Sequence, residues 1–193
     1  MDDLVSKGEE HAFIILGIVA PIGTDKDCVI DSIKNESDKY GFEPHVIDVD
    51  GFLGELGIQI DSVGKYARLN EKINSINSVC EKTSNDIFGC YAVSKISSKV
   101  RESPEKKYVF IIDQVKRKDE AIALQKTYGD LFFLLGVNSS EKSRVEHLSS
   151  GSNLKESDLI RLFEVDEDED IKYGQKVSKT FHLSDYFLSE KNA

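Results

Sequence analysis

Four short apolar runs, each bounded by turn residues, constrain this chain more than any other feature: residues 12–19, 45–49, 108–112 and 131–137. Runs of that length read as strands. Three of the four are nearly continuous in apolar residues rather than alternating. Both faces of their sheet must therefore be covered, as parallel strands are between layers of helices. Residues 180–183 add a fifth candidate strand.

The intervals between the runs carry helical patterns. Thr24 with Asp27 three residues on predicts an N-cap, followed by Val29, Ile30, Ile33 and Tyr40 at helical spacing and closed by Gly41. Residues 63–100 hold no strand signal, and their apolar positions fit two helices parted near residues 83–85. Residues 119–128, closed by Gly129, and residues 140–148 predict two more. The order β-α-β-α-α-β-α-β-α is that of a doubly wound, three-layer α/β fold with a mostly parallel sheet and helices on both faces.

A chain of 193 residues suits one domain with a sizeable core. The serine-rich stretch 149–153 separates a core, residues 1–150, from a tail, residues 151–193. Apolar residues at helical spacing in the tail predict that it docks on the core. A net charge of -10, with Lys and Arg scattered, disfavours DNA and sequence-independent RNA binding. Cys28, Cys80 and Cys90 form no C-x-x-C and are an odd count. They read as helix packing residues in a reducing cytoplasm. Acids before the first apolar run argue against a signal peptide, and the longest apolar stretch is too short to span a membrane.

The first strand runs through Gly17 into Pro21, Gly23, Thr24 and Asp25 and then a helix. Strand, glycine turn and helix N-terminus together present backbone N–H groups and the helix dipole to phosphate. The phosphate-loop pattern G-x-x-x-x-G-K-[ST] is nevertheless not met. With Gly23 on its last glycine, Thr24 takes the place of the lysine and Asp25 that of the Mg²⁺-binding hydroxyl. Five residues separate Gly17 from Gly23 where the pattern has four, and Ala20 stands where a glycine is expected. Lys26 is the nearest replacement cation. One residue further along lies about 100° around a helix, which predicts that Lys26 points elsewhere. Phosphoryl transfer relies on positioned positive charge and metal, and this loop offers little of either. Nucleotide binding without turnover is the leading reading, and a turn that binds nothing is the alternative.

Three residues elsewhere are candidate nucleotide contacts. Asp113 ends a strand at its carboxyl edge, where a metal-binding acid or a turn cap would sit. Arg68 either reaches a phosphate from the helical insert or is a solvated helix charge. Arg144 is placed like a lid arginine of nucleotide kinases, or else pairs on the surface with Glu141 and Glu146. The acidic run 166–170 invites calcium, but an EF-hand loop needs glycine at 171 and glutamate at 177, where Ile171 and Val177 stand. A solvated acidic loop is expected, with a regulatory or interdomain contact second. No metal site is assigned.

Asp113, Gln114, Val115 and Lys116, with Glu120 and residues 128–137, are similar to the deoxynucleoside monophosphate kinase-like branch of P-loop folds. Several segments in order carry a narrower likeness: G-I-V-A-P-I-G-T-D (17–25), Y-A-R-L-N (66–70), residues 128–137 and 140–145, D-E-D-E (166–169), Y-G-Q-K-V (173–177) and T-F-H-L-S-D-Y-F (180–187). Together they resemble the N-terminal P-loop kinase-like domain of the anti-phage dCTP/dCMP deaminases, bacterial defence proteins of the cytidine deaminase superfamily. The resemblance implies a regulatory or sensing module beside a deaminase domain in cis or trans. The partners it implies are a nucleotide (dNTP, dNMP or ATP) with or without Mg²⁺, a second copy of the chain, and an inhibitory RNA. A zinc deaminase needs H-x-E and P-C-x-x-C. His11, His45, His147 and His182 have no glutamate two residues on, and no two cysteines lie three apart. The chain therefore carries no deaminase site, and is either part of a longer protein or a stand-alone relative. An active deoxynucleoside monophosphate kinase with a divergent loop, and a purely structural docking domain, stay open beside the regulatory reading.

Overall fold

The apolar runs form the strands they suggest, in a computed structural model that describes residues 12–150, 154–168 and 177–189. These are β1 (Phe13–Val19), β2 (Glu43–Ile47), β3 (Tyr108–Asp113) and β4 (Phe132–Asn138), joined by β5 (Tyr186–Ser189). All pair in parallel, in the order β2-β3-β1-β4-β5. Every residue of β3 is buried, as expected of an unbroken apolar strand with neighbours on both sides.

Eight helices complete the described residues: α1 (Asp27–Lys39), α2 (Val49–Glu55), α3 (Lys65–Lys82), α4 (Ile87–Glu102), α5 (Lys118–Tyr128), α6 (Glu141–Ser149), α7 (Glu156–Asp168) and α8 (Val177–Phe181). Strand side chains alternate between two cores. On one face Ile15, Phe110, Ile112 and Leu134 meet Phe52, Ile76, Phe88 and Leu124 from α2 to α5. On the other, Ile18, Val109, Ile111 and Val137 meet Val29 and Ile30 of α1. Each fully buried side chain of this size contributes about 1.5–3 kcal/mol. The three-layer parallel α/β architecture is thus present.

Several expectations need correction. Residues 180–183 are not a strand: α8 runs through Phe181, and the fifth strand starts at Tyr186. Thr24 is not the cap of α1, which begins at Asp27 after Lys26. The strand expected over residues 45–49 ends at Ile47, and α2 starts at Val49: Asp48 caps it, its Oδ1 accepting from the Gly51 N–H at 2.7 Å. Cys90 is exposed, so it is no packing residue, whereas Cys80 is buried. The acidic run does not begin as a solvated loop. Asp166 lies within α7 and is fully buried, on one stripe with Leu159 and Leu162; residues 169 and 170 lie outside the described residues.

Candidate functional site

The carboxyl ends of β1 and β3 lie side by side, and the two segments leaving them build the site. Leaving β1, the chain turns at Pro21–Thr24, closed by the Thr24 N–H donating to the Pro21 carbonyl at 3.1 Å. Gly23 has φ +85°, the left-handed value that a type II turn requires at its third position. Any side chain there would also collide with α6, since a Cβ would lie 2.9 Å from the Arg144 carbonyl oxygen. The turn leaves the Ile22 N–H directed away from the chain's own carbonyls. It donates to Asp166 Oδ2 at 2.6 Å.

Leaving β3, Gln114 adopts φ +73°, among the described residues the sole non-glycine at positive φ. Such a conformation costs on the order of 1 kcal/mol. It swings the chain so that the Val115 N–H returns to the Ile18 carbonyl at 2.8 Å. Lys116 follows, buried and held from two sides. Its N–H donates to Glu120 Oε2 at 2.9 Å, and its carbonyl accepts from the Thr180 hydroxyl at 3.1 Å. The Lys116 ammonium is thereby aimed at Asp166 Oδ1 and bonds to it. The two oxygens of one carboxylate are divided between a turn amide and an ammonium, the donor set that a phosphate oxygen pair would use.

Beside this clasp, lined by Ile22 and Lys116 but not by Asp166, lies a cavity of about 180 Å³. Its wall includes Lys26, Lys65, Lys72, Lys116 and Arg117 against one acid, Glu120. Four of these cations are paired, with Asp113, Asp50, Asp166 and Glu120, so the wall keeps an excess of one positive charge in a chain of net charge -10. Besides Lys26, the cations near the turn come from the segment after β3 and from α3.

The residues singled out in the sequence fall into three groups. Pro21, Gly23, Thr24 and Lys26 line the cavity. Asp113 ends β3 and bonds to the Lys26 ammonium. Lys26 does not point elsewhere: it precedes the first turn of α1 rather than lying within it, so the helical rotation does not apply and its side chain folds back over the strand end. Gly17, Asp25 and Arg68 are outside the cavity lining. Gly17 is within β1, where a Cβ would come 2.9 Å from the Phe132 ring, so its smallness serves packing. Asp25 follows the turn, its carbonyl accepting from the Cys28 thiol at 3.0 Å. Arg68 lies on α3 and lines a separate depression with Asp50 and Lys72.

Arg144 is not on the surface, where a pair with Glu141 and Glu146 was the alternative to a lid arginine. It is buried, stacks 4.4 Å from the Phe163 ring centre, and donates from Nη1 to the Ile22 carbonyl at 3.5 Å. Glu146 pairs loosely with Lys142 instead, at 3.9 Å. Sequence reasoning did not select Gln114, Lys116, Lys65, Lys72 or Asp166. The signal for Asp166 was its spacing from Leu159 and Leu162, which puts an acid on the apolar stripe of α7.

Burial pushes the Asp113 carboxyl above the usual aspartate range, and Lys26 pulls against that. The Asp113 Oδ1 and the Thr24 hydroxyl are both buried and have no hydrogen-bond partner. Buried polar atoms of that kind call for a ligand or water. A resident Mg²⁺ does not fit these residues: Lys26 neutralises Asp113 where the ion would be held, and Asp25 replaces the hydroxyl that would bind it. Among the described residues no cluster of three or more His, Cys, Asp or Glu side chains is placed to hold a metal ion. No described helix is long and apolar enough to cross a membrane.

No family model matches the chain, and no curated protein matches it in sequence. Solved structures similar to it include a gluconokinase from Sinorhizobium meliloti, 12% identical, covering 88% of this chain and 87% of that one with a TM-score of 0.40. Another is a protein from Eubacterium ventriosum, 11% identical, covering 91% and 88% of the two chains with a TM-score of 0.45. Similarity at this level carries no argument about activity, which must come from the site.

Proposed function

We propose that this chain is a nucleotide-binding module that receives phosphate at the turn after β1 and does not transfer it by the conventional P-loop route. One observation carries the reading: the Ile22 amide and the Lys116 ammonium, on two residues that line one cavity, already hold the two oxygens of an anionic group, the Asp166 carboxylate. The order of strand, turn and helix supplies the backbone donor, and Lys116 supplies the charge that Thr24 cannot. Gly17, Asp25 and Arg68 are dropped from the set of direct contacts, and Lys116 joins Pro21, Gly23, Thr24 and Lys26. Asp113 and Arg144 act one step back, by holding Lys26 and by bracing the turn.

The resemblance of residues 17–25, 128–137 and 180–187 to the anti-phage dCTP/dCMP deaminases supports a finer reading. The module would be the regulatory part of such a deaminase, acting beside a deaminase domain in cis or trans. Calorimetry against dNTPs, dNMPs and ATP tests the binding, with micromolar to low millimolar affinity expected. Absence of heat with every nucleotide at millimolar concentration overturns it. A coupled assay for ADP release separates the module from a nucleoside monophosphate kinase. The placement of Asp113 at the end of β3 is the one observation favouring the kinase, and no turnover is expected because Lys26 already occupies that carboxylate.

A further inference from the structure

We infer that Asp166 is a built-in competitor for the phosphate site, so that nucleotide binding and the docking of α7 exclude one another. The inference rests on the binding reading above and concerns its regulation.

The geometry is that of a bound ligand. Asp166 is 0% exposed, and its two oxygens accept from Ile22 N–H and Lys116 Nζ. Those two donors come from the turns that leave β1 and β3, 144 and 50 residues away along the chain. A carboxylate and a phosphate cannot share them: the donors are few, and two anions at hydrogen-bond distance of one ammonium repel each other across a poorly solvated gap. The ligand must therefore displace the carboxylate.

The cavity beside these donors holds about 180 Å³ and is lined by Ile22 and Lys116 but by no residue of α7. An anion entering it meets two donors already turned to Asp166. Moving α7 outward would remove the competing carboxylate, and it would also take Phe163 off Arg144, which braces the turn. Charge changes in the same direction. The five lining cations are offset by Asp50, Asp113, Glu120 and Asp166. Withdrawal of Asp166 doubles the local excess from one positive charge to two.

A site that opens by losing its own ligand binds the external one with its intrinsic affinity reduced by the open fraction; an open state populated at about a tenth or less weakens apparent binding about tenfold or more. The occupied state then has a released α7, which can report occupancy to whatever contacts that segment. The signal is the exposure of residues 156–168.

The test compares wild-type protein with Asp166→Asn, using inorganic pyrophosphate and ATP as probes in calorimetry. The amide keeps the shape and removes the charge. Binding about tenfold tighter or more in the variant supports the competitor. Equal or weaker binding in the variant, with clear binding to wild type, overturns the competitor and leaves the phosphate site standing. Absence of binding to both proteins overturns both. Limited trypsin digestion of the wild type is independent of the variant's folding. Pyrophosphate is expected to speed cleavage after Lys155 and Arg161, and protection or no change at these sites overturns the inference.

Discussion

Lys116 and Arg117 are neighbours in sequence, both buried, and both bonded to a carboxylate, yet their pairs are built differently. Arg117 meets Glu120 three residues on, at 3.4 Å from Nη1, and its other guanidinium nitrogen bonds to Asn77 Oδ1 at 2.5 Å. Glu120 also accepts from the backbone N–H groups of 116 and 117 at 2.9 and 3.0 Å. That pair is a local device closing the start of α5, with its hydrogen-bonding capacity filled by groups that cannot leave. The Lys116–Asp166 pair instead joins β3 to a helix 50 residues away. Its acid stands on a separate helix, α7, and on the inference above can leave with it. Burial alone does not separate a structural ion pair from an exchangeable one; sequence distance and the anchoring of the acid do.

Removing the local acid has the largest expected effect. Glu120→Ala removes the carboxylate from a buried guanidinium and leaves two N–H groups without their acceptor, a loss of about 3–5 kcal/mol in urea denaturation. A loss under about 1 kcal/mol would abolish the distinction between the pairs. Gly23→Ala touches neither pair, and tests whether the turn itself must hold its shape. The left-handed φ and the approach to the Arg144 carbonyl predict a loss of about 1–3 kcal/mol together with weaker pyrophosphate binding. Unchanged stability would mean that the turn and α6 separate easily.

Lys116→Met sharpens the comparison from the other side. If Asp166 can swing out, its unpaired burial is relieved by releasing α7, and the stability loss stays near 1–2 kcal/mol. Hydrogen exchange should then quicken in residues 156–168 while β3 and α5 keep their protection. A cooperative loss everywhere would make this pair as structural as the other. The smallest effect concerns Asp113, whose carboxyl burial raises above its ordinary value. The folded state therefore holds the proton more tightly than the unfolded chain. Stability falls as pH rises from the ordinary aspartate value through the raised one. Asp113→Asn should lose that slope in thermal melts between pH 4 and neutrality, as a flag of about one group's worth of titration; an identical slope refutes the assignment.

The sheet was legible because β1, β3 and β4 are short, nearly unbroken apolar runs with strand neighbours on both sides, which leaves little else for those residues to do. Strand β5 was misplaced because Tyr186 and Phe187 are more than half exposed, so burial did not mark it. Helix α2 was hidden by Gly51 and Gly54, poor helix formers that tertiary contacts of Phe52 and Leu53 override. The turn after β1 was recognisable, but its positive charge was not. The pattern looks for a lysine next to the last glycine, and the structure brings one from the end of a different strand. Lys26 was misjudged through a two-residue error in where α1 starts, Lys26 rather than Thr24 being its first flanking residue. Asp166 was hidden in a run of acids whose composition suggests solvent, although its helical phase against Leu159 and Leu162 points inward.

One contact described earlier bears on how force travels here. Nothing but the Cα hydrogens of Gly23 separates the turn from the main chain of α6, while Arg144 on that helix touches both the Ile22 carbonyl and the Phe163 ring. Close-packed parts of this kind move together rather than compress. The turn, α6 and α7 are meshed like gear teeth, so a nudge of a few tenths of an ångström at the first is felt at the third.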